Sequence, residues 1–211
     1  MRIVSIRGAG EGYGVNMCAG VVRGLDVHEL VYPAEIRPIG TRTLGQSVEI
    51  GRAALRSIDT EGELYVIVAF SLGAYVASEF VMLDQPRNCK GLVLLGNPLR
   101  PRGHCAHGGV PAVRHGIAGE VPIVGVPVRN FTIPDDPISA CPPDNGLRSI
   151  SARVTGRRQP TPAQWWNAGA TLDWLMRYLT GGRHTSYGTE RMPGSDLTYV
   201  QAAAAAVRGM L

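Results

Sequence analysis

Six consecutive apolar residues, Tyr65–Phe70 (Y-V-I-V-A-F), give way at Ser71 to helical periodicity that continues to Leu83, with no linker between them. An unbroken apolar run of this length fits a strand buried on both faces, the mark of a parallel sheet covered by helices on each side. The longest strongly apolar runs are of this size, far short of the ~20 residues needed to cross a bilayer, so no transmembrane segment is expected.

The rest of the chain repeats the alternation. Arg2–Arg7 reads as a strand that runs into a glycine-rich loop, Gly8–Gly14. A helix is expected over 15–24, a short strand over 30–32, and a helix over 44–58 opened by a Thr43-x-x-Gln46 capping pattern. Gly91–Leu95 reads as a second buried strand and Val126–Phe131 as the last, with Pro127 suggesting a sheet edge. Helices over 161–179 and 196–207 complete the pattern, while 99–124 and 142–162 read as long irregular connections. The expected fold is a three-layer α/β/α sandwich around a mostly parallel sheet. With 211 residues, 45% hydrophobic, and no internal repeat or linker, the chain is expected to form one domain over 1–211.

The formal charge is +4, yet the arginines are scattered and only Lys90 among the 21 basic residues is a lysine. The densest group, Arg153 with Arg157 and Arg158, is too short for a nucleic-acid stripe and lacks interleaved aromatics. No nucleic-acid partner is expected. The four cysteines, Cys18, Cys89, Cys105 and Cys141, show no C-x-x-C spacing and read as mostly free, buried thiols. His104, Cys105 and His107 cluster in sequence without a second ligand pair, so no metal is expected. Met1–Gly8 lacks the regions of a signal peptide, and the protein is expected to be made without one.

The junction Ala69-Phe70-Ser71-Leu72-Gly73 is where a nucleophile elbow belongs. In such a turn the serine adopts a strained backbone at the top of the sheet, and small residues two places before and after it let strand and helix approach closely. The Leu72 N–H, at a helix N-terminus, and an N–H near Ala9 after the first strand are the candidate oxyanion donors. Asp135 and Asp136 follow the last strand and are candidates for the orienting carboxylate, with Asp144 a poorer one. In chain order Ser, acid, His, only His184 of the five histidines lies after Asp136.

With these residues in place, the chain resembles the cutinase-like serine esterases of the α/β-hydrolase superfamily. Arg7-Gly8-Ala9-Gly10-Glu11 is similar to their R-G-[ST]-x-E loop, and Ala69–Gly73 to their G-Y-S-Q-G elbow. Asp135-Asp136-Pro137-Ile138 matches G-D-x-[VI], and His184-Thr185-Ser186-Tyr187 matches H-x-x-Y. The resemblance selects Asp136 over Asp135 and implies a triad of Ser71, Asp136 and His184, with Ala9 and Leu72 supplying the oxyanion N–H groups and no cofactor. Ala9 and Leu72 stand where the family has a hydroxyl residue and Gln, and Ser139 where it usually has a cysteine.

Gly96-Asn97-Pro98-Leu99-Arg100 and the 48-residue separation of Asp136 from His184 further resemble the lysin B esterases of phages that infect mycobacteria. This resemblance implies an insertion at about 142–182 and a lipid ester substrate, the mycolic acid esters of cell-wall arabinogalactan, cleaved at the host envelope during lysis. In the insertion Trp165 is expected in the core and Trp166 against a lipid groove. Two alternatives remain open: a virion-associated or PE-PPE-like esterase acting on another acyl chain, and a non-catalytic phage protein that keeps the fold.

Overall fold

The protein is described here by a computed structural model covering all residues, Met1–Leu211. Strands β1 (Arg2–Ile6), β2 (Val27–Glu29), β3 (Tyr65–Phe70), β4 (Cys89–Leu95) and β5 (Val128–Phe131) form one sheet in the order β2-β1-β3-β4-β5. Every pairing is parallel. The helices are α1 (Met17–Val21), α2 (Leu44–Thr60), α3 (Leu72–Asp84), α4 (Leu147–Thr155), α5 (Ala168–Leu179) and α6 (Tyr199–Arg208), with a 3-10 turn at Ser186–Gly188. None is long and apolar enough to cross a membrane.

The two-residue period of the strands divides the core. Val4, Ile6, Ile67, Ala69, Leu92 and Leu94 pack with Leu55, Val76 and Phe80 of α2 and α3. Their neighbours Ile3, Val68, Phe70, Val93 and Leu95 point the other way, toward Val21 of α1 and Tyr199 and Ala203 of α6. The expected three-layer α/β/α sandwich is therefore present, with β3 at its centre and buried along its whole length. The capping box at Thr43 and Gln46 forms on both sides, and Pro127 lies just before β5, an edge strand.

Several boundaries differ from expectation. The second strand is Val27–Glu29 rather than 30–32, because Ile3 pairs with Val27; Leu30 and Tyr32 are buried as the chain turns over the strand ends. The connection 142–162 is not wholly irregular, since it contains α4. The helix expected over 161–179 begins only at Ala168, capped by Asn167. Trp165 consequently lies outside the helix and is 63% exposed, not core; the buried aromatic of this region is Trp174, packed on Cys141 and Leu147.

Backbone approaches backbone closely where α3 crosses the end of β1. A Cβ on Gly73 would overlap the Ile6 carbonyl oxygen and come within 2.7 Å of that of Arg7. Backbone cannot retreat as a flexible side chain can. Gly73→Ala is therefore expected to lower stability by about 1–3 kcal/mol, read as a lower urea midpoint at unchanged slope.

Candidate active site

Ser71 closes β3 and caps α3. Its N–H donates to the Leu95 carbonyl (3.0 Å), and its backbone sits at φ 53°, ψ −116°, one of only three non-glycine residues with positive φ. A strained backbone of this kind costs about 1–3 kcal/mol and persists only where the surroundings enforce it. Here the enforcement comes from β3 on one side and the Gly73 crossing on the other. The result lifts the serine hydroxyl above the carboxyl end of the sheet.

The segments that follow β3, β5 and α5 converge there. The Ser71 hydroxyl lies 2.7 Å from Nε2 of His184, and Nδ1 of His184 lies 3.0 Å from both oxygens of Asp136. The imidazole stacks on Phe70, with centroids 5.0 Å apart. Gly96 makes room for it, since a Cβ at that position would stand 2.8 Å from His184 Cε1. Tyr178 of α5 flanks the ring at 5.8 Å.

Asp136 is fully buried, and its oxygens also accept from the Ile138 N–H (2.8 Å), the Ser139 hydroxyl (2.6 Å) and the Tyr187 hydroxyl (2.6 Å). Burial pushes the carboxyl up, but the adjacent His184 and the three side-chain hydrogen bonds outweigh it and hold the group below its ordinary value. Burial and the neighbouring carboxylate push the Tyr187 phenol well up, so it remains a donor. A carboxyl depressed in the folded state contributes stability that is intact above its unfolded pKa and is lost as pH falls through the lower folded value. Between pH 5 and 3 the parent should therefore lose stability more steeply than Asp136→Asn, as measured by urea titrations at each pH.

The neighbouring Asp135 does different work. It pairs with Arg177 of α5 (3.0 Å) and with Arg183 (2.6 Å), which also pairs with Glu190, so it clasps the segment carrying His184 to the end of α5. Asp144 accepts from Gln164 and does not meet the histidine.

The loop after β1 is held by its own charged residues. Glu11 accepts from the Gly8 N–H (2.6 Å) and the Met17 N–H (2.9 Å), while the buried Arg7 donates to the carbonyls of Glu11 (2.9 Å) and Tyr32 (2.6 Å). The Ala9 N–H is left without a hydrogen-bond partner. Leu72, the first residue of α3, likewise has an N–H that the helix itself cannot satisfy. Both are free donors at the end of the sheet where Ser71 stands.

Two buried arginines support the acid loop from below. Arg100 donates to the carbonyls of Ser139 (2.8 Å), Pro101 (3.1 Å) and Arg114 (2.8 Å). Arg148 donates to those of Pro142 (2.9 Å), Gly116 (2.9 Å), His115 (3.1 Å) and Cys141 (2.6 Å). Burial lowers the pKa of each.

The geometry thus joins Ser71, His184 and Asp136, with Ala9 and Leu72 flanking. Trp166 is 67% exposed on the approach to α5. Sequence reasoning quoted Tyr187 and Ser139 without giving them work; their hydroxyls are the extra donors to Asp136. The H-x-x-Y spacing was the available signal for the first. No group of three or more His, Cys, Asp or Glu side chains is arranged to hold a metal ion.

No protein-family model and no curated protein matches the sequence. Among solved structures, lysin B from Mycobacteriophage D29 superposes with a TM-score of 0.58 at 17% identity, covering 99% of this chain and 98% of that one. A cutinase-like protein from Cryptococcus sp. superposes with a TM-score of 0.50 at 19% identity, covering 85% and 92%. A parallel five-stranded sheet between helical layers, with its elbow serine at the central strand end, thus carries this chain into the α/β-hydrolase-like fold shared with lysin B and the cutinase-like protein.

Proposed function

We propose that the protein is a serine esterase that hydrolyses lipid esters through an acyl-enzyme. The hydrogen-bonded chain from the Ser71 hydroxyl through His184 to the buried Asp136 carries this reading. In the first half-reaction Nε2 of His184 takes the Ser71 proton as Oγ attacks the ester carbonyl. Asp136 stabilises the imidazolium and fixes its tautomer, while the Ala9 and Leu72 N–H groups receive the oxyanion. Returning the proton to the leaving alkoxide completes acylation. Water activated by the same imidazole then releases the acid. These steps call on no metal or organic cofactor.

The substrate we propose is the mycolic acid ester of mycobacterial cell-wall arabinogalactan, cleaved during phage lysis. The superposition on a phage lysin B over nearly the whole of both chains supports this choice. So does the apolar row Leu172, Met176 and Leu179, exposed along one side of α5 and preceded by the exposed Trp165 and Trp166. An apolar row left in solvent suits contact with long alkyl chains. A fluorophosphonate is expected to label Ser71 alone, and failure to label would favour a fold kept without turnover. Among the enzymes, purified mycolylarabinogalactan should release mycolic acid; turnover confined to short or unrelated esters would point instead to a virion-carried or PE-PPE-like esterase. Trp166→Ala is expected to reduce turnover of long-chain esters about tenfold while leaving p-nitrophenyl acetate within twofold, consistent with the loss of one aromatic contact.

A further inference from the structure

The triad uses none of the four thiols, all of which are free. Cys18, Cys89 and Cys141 are buried, and burial pushes all three thiols up, Cys89 and Cys141 to about 12. Cys105 differs in being partly exposed and in having a base beside it: Sγ lies 3.2 Å from Nε2 of His107.

The surroundings set the tautomer of that base. Nδ1 of His107 donates to the Gly108 carbonyl at 2.7 Å, which leaves the Nε2 lone pair directed at the thiol and at the Thr132 N–H, 3.3 Å away. The ring is wedged between Phe131 and Tyr199, with centroids at 6.3 and 5.1 Å, so it cannot swing free. Burial acts against the thiolate, but the His107 hydrogen bond and charge, with Arg100, bring the Cys105 thiol below its ordinary value, and His107 moves up. Cys105 opens onto a hollow of about 250 Å³ lined by Gly103, His104, Ala106, Val128, Arg129 and Asn130. Arg129 is exposed and supplies positive charge at that hollow.

We propose that Cys105 and His107 form a second nucleophilic site, a base-paired thiol beside the edge strand β5 that undergoes exchange with small anionic disulfides. His107 Nε2 accepts the Cys105 proton, and the thiolate attacks one sulfur of the disulfide. A Cys105 mixed disulfide forms as the old S–S bond breaks, and the departing thiolate carries the electron pair and takes up a proton from the imidazolium or from water. No external oxidant or reductant enters the balance. The arrangement meets the conditions for a reactive cysteine, a partly exposed sulfur beside a base and fixed positive charge.

The charged and titratable groups facing Cys105 are His104 and His107 on its own loop, Arg100 from the preceding segment, Arg129 from β5 and Tyr199 from α6. The test uses 5,5′-dithiobis(2-nitrobenzoate), a dianionic disulfide, on the native full chain. One equivalent of thiolate should appear in a fast phase, with the modified peptide containing Cys105; the other three thiols should react only in denaturant.

Cys105→Ser should abolish the fast phase with an unchanged far-UV circular dichroism spectrum. His107→Gln should slow it about tenfold at pH 6 and move its pH midpoint upward, whereas His104→Gln should leave the profile in place. Arg129→Gln should slow the dianionic disulfide severalfold but not a neutral dipyridyl disulfide. A fast phase that survives Cys105→Ser, or maps to another cysteine, overturns the site. A profile unmoved by His107→Gln, or moved equally by His104→Gln, overturns the pairing. Equal effects of Arg129→Gln on both reagents overturn the anion preference.

Discussion

Ser71→Ala is expected to lower kcat on p-nitrophenyl esters by roughly 10⁴ to 10⁶-fold, because a triad acts as a unit and its nucleophile has no substitute. Ala9 and Leu72 still offer their N–H groups, so a small residual rate above uncatalysed hydrolysis should remain, with KM little changed. Fold is the control. Alanine keeps the Cβ that makes φ 53° strained, whereas glycine takes this conformation without penalty. Ser71→Gly should therefore be equally inactive yet at least as stable in urea as the parent. Retention of parental turnover in either variant would rule out Ser71 as the nucleophile.

Asp136→Asn is expected to reduce kcat by roughly 10⁴-fold, since an amide facing Nδ1 favours the wrong imidazole tautomer and cannot stabilise the imidazolium. The adjacent residue supplies the contrast. Asp135→Asn loosens the clasp on Arg177 and Arg183 but leaves the contact to His184 intact, so its loss should stay below about tenfold. The ratio between two carboxylates one residue apart is the sharpest measure of the proposed division of labour. Equal losses would show that the loop's shape matters and not which carboxylate meets the histidine.

Much of this arrangement could be read from the residue order, for identifiable reasons. The run Tyr65–Phe70 has no polar face and can only lie between two layers, and Gly73 follows from how closely α3 must cross β1. The choice between Asp135 and Asp136 was beyond local chemistry, since both follow β5; it came from the family resemblance, and the geometry now puts Asp136 on the imidazole and Asp135 among arginines.

Other errors share a cause. The helical spacing of 161–179 puts Trp165 in the expected core, but periodicity identifies a face without saying which way it points. In α5 the buried side carries Trp174 while Leu172 and Leu179 lie in solvent. The helix α4 was hidden by its flanks, Pro142-Pro143 and Gly156, and by apolar residues, Ile150 and Val154, that it leaves exposed. The shift of the second strand has a similar origin: Leu30 and Tyr32 look more strand-like than Val27–Glu29 because they are buried, yet register with β1 decides the pairing.

The two arginines beneath the acid loop bond only to carbonyl groups, whereas the clasp near His184 is built from partly exposed ion pairs. Dissolved ions shield the second kind of contact and scarcely reach the first; at 1 M salt the screening distance shrinks to about 3 Å. Brine should therefore act selectively, slackening the tether of the histidine segment while the floor under the carboxylate stays rigid.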